Sequence, residues 1–116
     1  MQGIVFLGDK KLEIQDFDDP SPGPDDVIIE IKASGMCGSD LKFYRANNGP
    51  SSLGLGGDDK PVIAGHEPCG TIVEIGSNVP KKSFQLDTRV MQHHYEGCGT
   101  CSHCSTGWQQ LCIDGV

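Results

Sequence analysis

Apolar residues in this chain come in short bursts punctuated by glycine and proline. Gln2 to Leu7 is one such run, closed by Gly8-Asp9-Lys10. Lys11 to Phe17 alternates, with Leu12 and Ile14 on one side. Two runs of this kind across a Gly-Asp turn predict a β-hairpin. Pro20-Ser-Pro-Gly-Pro24 reads as a rigid loop, and Val27 to Ala33, rich in β-branched residues, as a central strand. Gly35 and Gly38 bend the backbone around Met36-Cys37. Ser39 then stands where an N-cap is expected, before one or two helical turns over Asp40 to Arg45. Asn47 to Lys60 has turn residues and no apolar period, which predicts a mobile loop. Pro61 to Ala64 reads as extended, and Thr71 to Ile75 and Arg89 to Gln92 as strands. From Gly97 onward the chain is a cysteine-rich lobe with at most a turn of helix at Ser102 to Gly107. Five to seven short strands, without repeats or a dividing linker, imply one small, mostly β barrel or sandwich.

Composition narrows the picture. Sixteen glycines and seven prolines suit short strands and loops. The net charge of −7 argues against nucleic acid and against an anionic membrane surface as partners. Eight acids fall in the first 30 residues, at Asp9, Glu13, Asp16, Asp18, Asp19, Asp25, Asp26 and Glu30, as a solvated sheet face requires. No apolar run approaches the roughly 20 residues that span a bilayer. The N-terminus has no basic segment and its apolar run is short for a signal peptide, so the expected compartment is the cytoplasm.

Six cysteines carry the candidate chemistry, and four fall in Cys98-x2-Cys101-x2-Cys104-x7-Cys112. Zinc takes four thiolates tetrahedrally, and two-residue gaps let tight turns aim successive sulfurs at one point. Four protein ligands leave no open position, so such a site holds structure and does no chemistry. Disulfides fit poorly, because nothing suggests secretion and cytoplasmic thiols stay reduced. An iron–sulfur cluster is the remaining alternative, since the same spacing suits one. Trp108, between Cys104 and Cys112, is expected to plug the lobe's interior.

Cys37 in Gly35-Met-Cys-Gly-Ser-Asp40 and His66 in Gly65-His-Glu-Pro68 are each ordinary alone. Together they offer one thiolate and one imidazole, two of the three protein ligands of a Cys2His catalytic zinc. With the lobe, these motifs occur in the order and at the distances found in zinc-dependent alcohol dehydrogenases. The chain therefore resembles the N-terminal catalytic domain of these medium-chain dehydrogenases/reductases over essentially all 116 residues.

The resemblance implies a GroES-like, partly open β-barrel over residues 1–116, with short helices and a structural-zinc lobe at 97–112. It implies that Cys37 and His66 hold the catalytic zinc and that Glu67 is its acidic neighbour or an exchangeable ligand. It makes Ser39 the hydroxyl that relays the alcohol proton, and Asp40 the partner that orients the histidine. His93 and His94 are read as structural or surface residues, and Cys69 as a small buried residue rather than a stray ligand. The implied reaction is hydride transfer between a small alcohol and its aldehyde or ketone, with NAD or NADP as the other substrate. The relatives' lobes often join subunit contacts, and a homodimer or homotetramer is expected of the whole enzyme.

Three departures matter. The family's third catalytic-zinc ligand lies beyond this stretch, so an occupied four-cysteine site and an empty or partly filled second site are expected. Gly-x-Gly-x-x-Gly is missing, and Gly54-Leu-Gly-Gly57 lacks the flanking strand and helix. The Rossmann cofactor domain is thus absent, and the chain alone is expected to be inactive. Asp87-Thr-Arg-Val90 stands where relatives have Gly-Asp-Arg-Val, which puts that turn in question. A zinc-bound β module that serves only as a binding or interaction protein is the alternative function.

Overall fold

A computed structural model describes residues 1–47, 49 and 63–115. Most of the loop expected at 47–60, with Gly54-Leu-Gly-Gly57, lies outside the described residues, as do Pro61 and Val62. The hairpin forms as the alternation predicts. β1 (Gln2–Gly8) pairs antiparallel with β2 (Lys11–Asp16), setting Ile4 opposite Ile14 and Phe6 opposite Leu12. Leu12 and Ile14 do share a face, yet they are 51% and 67% exposed, while Gly3 and Val5 of β1 point inward. Alternation fixes which residues share a face; what covers that face is a tertiary matter.

β3 (Val27–Gly35), β4 (Glu67–Ile75) and β5 (Arg89–Met91) form an antiparallel sheet in the order β3-β4-β5. The expected central strand, β3, is therefore an edge strand among the described residues, and β4 takes the centre. Its β-branched residues mark a surface that packs, not a place in the sheet. β4 also starts earlier than Thr71. Pro68, which has no N–H to give a ladder, is tolerated near the strand's start, where its carbonyl accepts the Gln92 N–H at 3.3 Å. Register shifts between Ile28 and Ile29 and between Ile31 and Ala33 bulge the β3–β4 ladder. A bridge between Val5 and Ile63, and the Ala64 N–H donated to the Ile4 carbonyl at 2.8 Å, tie the hairpin to the segment entering β4. The architecture is mostly β, with two open sheets. Among the described residues the buried apolar ones are few: Val5, Ala46, Ile72 and Val79, with Cys104 in the lobe.

α1 (Gly38–Arg45) begins before the expected Asp40, and its N-cap is Cys37 rather than Ser39. Asp40 is the reason. From the third helical position its Oδ2 accepts the Cys37 N–H at 2.7 Å, the return arm of a capping box. Ser39, one position earlier, sits inside the first turn. At the questioned turn, Asp87 adopts φ +63° and keeps the hydrogen bonds. Its N–H donates to the Ile72 carbonyl at 2.9 Å, and the Ile72 N–H to the Thr88 carbonyl at 3.0 Å. Aspartate tolerates this left-handed conformation better than most residues, at some cost relative to glycine.

In the lobe the expected helical turn is a 3-10 turn over Cys104–Thr106, and a second covers Gln109–Leu111. Trp108 is no plug: it is 56% exposed. The buried residue of the lobe is instead Cys104. No helix among the described residues is long and apolar enough to cross a membrane.

Candidate functional site

The lobe gathers its four sulfurs by local turns. The Sγ atoms of Cys98, Cys101, Cys104 and Cys112 all lie within 4.8 Å of one another. Backbone N–H groups point at them: Cys101 to Cys98 Sγ at 3.4 Å, Cys104 to Cys101 Sγ at 3.4 Å, and Cys98 to Cys112 Sγ at 3.3 Å. A side chain at Gly97 would collide with Cys104 Sγ, so this position needs glycine. The N–H of Cys104, with that of Ile113, brings the Cys101 thiol down to about 6. The Cys98 N–H lowers Cys112 likewise. Burial pushes Cys104 the other way, up to about 12. Preformed thiolate stabilisation around a buried sulfur that ionises only beside a cation is the donor chemistry of a metal site. The spread also suits one ion. Thiolates at about 2.3 Å from a single zinc cannot be more than about 4.6 Å apart, whereas a multi-iron cluster holds its cysteines around a wider core.

The second group is assembled from distant segments. The register pairs Gly35, at the end of β3, with Glu67, at the start of β4. That pairing brings Cys37, just past one strand, beside His66, just before the other. Ligand atoms of Cys37, His66 and Glu67 lie within 4.8 Å of one another. Gly35 is bare because a Cβ there would strike the Glu67 carboxylate.

Asp40 braces the pair. It is 3% exposed; Oδ2 accepts the Cys37 N–H, and Oδ1 lies 3.4 Å from His66 Nδ1. The Ser39 hydroxyl, then its N–H, then His66 hold the Cys37 thiol below its ordinary range. The Cys37 sulfur raises His66, with Asp40 and Glu67 adding to the effect. One soft sulfur, one imidazole and one carboxylate converging at an accessible place fit a zinc ion with an open coordination position.

These residues line a cavity with Ser39, Phe6, Phe43, Ile63, His94 and Tyr95. Ser39 is thus beside the sulfur, as its expected role requires. Cys69 stays outside the group: it is half-buried on β4, paired with Ala33 and Met91. His93 lies at the surface, its Nδ1 3.3 Å from the Tyr95 carbonyl. His94 is exposed, as a surface residue is expected to be, and it also borders the cavity. Its ring centre is 5.2 Å from that of His66, crossing it at 68°. The available signal was its position just after β5, the strand that borders the start of β4.

Residues 23–116 match the family model of the alcohol dehydrogenase GroES-like domain. The chain belongs to that family. Among curated relatives of this GroES-like domain, the zinc-type alcohol dehydrogenase-like protein YphC of Escherichia coli is 34% identical over 117 residues, covering 97% of this chain and 31% of its own. Sorbitol dehydrogenase of Bacillus subtilis is 35% identical, covering 98% and 31%. Among solved structures, galactitol-1-phosphate dehydrogenase from E. coli superposes with a TM-score of 0.75 at 27% identity, over 97% of this chain and 30% of that one. Acetophenone reductase from Geotrichum candidum, in complex with NAD, gives 0.71 at 31% identity, over 97% and 31%. The GroES-like domain described here thus spans about a third of the length of the relatives it matches.

Proposed function

We propose that this chain is the zinc- and substrate-binding part of an NAD(P)-linked alcohol dehydrogenase, acting in the cytoplasm. The convergence of Cys37, His66 and Glu67 in one accessible cavity carries the reading. Cys98, Cys101, Cys104 and Cys112 hold a structural zinc, and Cys37 and His66, with Glu67, hold a catalytic one. Such an ion supplies Lewis acidity to an alcohol or carbonyl oxygen.

The chain's own residues do the rest. Asp40 fixes the Cys37 backbone and His66 together, so the two donors keep their mutual geometry. Ser39 lines the cavity with Cys37, and its hydroxyl is the group there that would relay the alcohol's proton. Phe6, Phe43 and Ile63 present carbon along one wall. The hydride passes between the substrate carbon and a nicotinamide. Nicotinamide-binding residues belong to the remaining length that the relatives have; a nicotinamide partner is supported by the NAD in the complex of acetophenone reductase.

The test is nicotinamide reduction by the protein of full length with a panel of small alcohols, beside Cys37→Ala and His66→Ala. Turnover lost in both variants, with the lobe's metal retained, is the expected result. Full activity in either variant, or turnover by the 116 residues alone, contradicts the proposal.

A further inference from the structure

We propose that the cysteine lobe is a reversible oxidation site: hydrogen peroxide oxidises Cys98, Cys112 closes on it as a disulfide, and the lobe gives up its metal ion until a dithiol reopens it. This rests on the reading of the four cysteines as a structural zinc site, and it does not depend on which alcohol the enzyme takes.

Three observations carry it. First, the four sulfurs differ in access. Cys98 is exposed, Cys101 and Cys112 are half-buried, and Cys104 is 8% exposed. Oxidation of cysteine follows exposure, so a dissolved oxidant meets Cys98 before the others. Second, a resolving sulfur is at hand. All four sulfurs lie within 4.8 Å of one another, and none is in a disulfide. Cys112 is the partner the backbone favours. The Cys98 N–H donates to Cys112 Sγ at 3.3 Å, and a Cβ on Gly97 would stand 3.3 Å from Cys112 Cβ. The Gly97–Cys98 backbone therefore runs directly along the Cys112 side chain, the close approach that a disulfide requires. Cys104, by contrast, is buried at the start of the 3-10 turn Cys104–Thr106. Third, the other candidate metal group has no such partner. Cys37 is joined there by His66 and Glu67, so that group holds one sulfur. Oxidation at Cys37 finds no second thiolate within its group to halt it at a disulfide. Reversible oxidation thus belongs to the lobe.

The chemistry balances as follows. The Cys98 thiolate attacks one peroxide oxygen, the O–O bond breaks, hydroxide leaves, and Cys98 becomes a sulfenic acid. The Cys112 thiolate then attacks the Cys98 sulfur. The S–O bond breaks, the S–S bond forms, and a second hydroxide leaves. Two protons from solvent turn both hydroxides into water, and each sulfur has given up one of the two electrons that reduce the peroxide. Cys101 and Cys104 alone leave half of a tetrahedral shell empty, so the ion departs. A dithiol returns the two electrons and restores four thiolates.

The test titrates hydrogen peroxide into the full-length protein, as wild type and as Cys37→Ala, whose remaining metal is the lobe's. A colorimetric zinc indicator follows release, and peptide mass mapping without reduction identifies the bridge. Cys37→Ala should release one zinc per Cys98–Cys112 disulfide formed, and wild type should yield the same bridged peptide. Dithiothreitol with added zinc should restore both the ion and the reduced peptides. Dimedone, a trap for sulfenic acids, should label Cys98 about tenfold or more above Cys104 and suppress the bridge. Zinc kept by the lobe at a peroxide excess that oxidises the exposed Met36 and Met91 overturns this inference. So does a first disulfide of other connectivity, a bridge between two chains, or an oxidation that dithiothreitol does not reverse. Each of these leaves the proposed function standing. A lobe that holds no zinc before peroxide is added overturns the structural-zinc reading as well.

Discussion

Two regions of this chain gather metal-ligating side chains, and they do so by opposite means. The lobe collects Cys98, Cys101, Cys104 and Cys112 from one short stretch, and its own tight turns aim the backbone N–H groups at the sulfurs. Nothing outside the stretch is needed. The second group depends on the ladder between β3 and β4, which brings Cys37 to His66 across a long intervening segment. A single buried carboxylate, Asp40, then locks the two. The first arrangement offers four donors and closes on itself; the second offers three and is open on a cavity. Local assembly yields a staple, and assembly from a distance yields a place where something else can bind.

The contrast can be broken most forcefully at the lobe. Cys104→Ser should abolish tight metal binding there and cost the fold roughly 3 kcal/mol or more, because metal binding and folding are one event in such sites. Thermal unfolding with metal analysis checks it, and chelation of the wild type should reproduce the loss. A smaller effect is expected at the second group. Asp40→Ala removes the acceptor of the Cys37 N–H, which should cost about 1–3 kcal/mol. It should also weaken metal binding at Cys37 and His66 by roughly 10–100-fold, with the lobe's metal untouched. Metal titration in the two variants shows whether the regions are independent.

Smaller again is the turn at Asp87. Asp87→Gly should stabilise by about 1 kcal/mol, since φ +63° costs aspartate and not glycine; urea denaturation reads it. The smallest effect belongs to Trp108. Being 56% exposed, its replacement by Gln should shift stability by no more than about 0.5 kcal/mol. A large loss would restore the role of plug.

What the sequence made legible follows the same division. The lobe's spacing is local, so its four donors could be assigned from the chain alone. The place of Trp108 escaped, because local spacing does not report which side chain the lobe buries. In the hairpin, alternation gave the partners but not the covered face, and Leu12 and Ile14 stayed exposed. For the second group, the motifs around Cys37 and His66 were visible, while their meeting is a consequence of strand register. The helix cap was misassigned because Asp40, reaching back from the third position, outcompetes the serine that propensity favours. The nearness of His94 to His66 was illegible for a like reason. It depends on where the end of β5 falls beside β4, which no local pattern around two adjacent histidines reports.

The most direct test is the number and kind of metal ions that the purified chain keeps after exhaustive dialysis against a competing chelator of moderate strength. One zinc per chain, lost from Cys104→Ser and kept by Cys37→Ala, is the result expected of a closed staple beside an open site. Two zincs held with equal tenacity, or iron with visible charge-transfer bands, would contradict it.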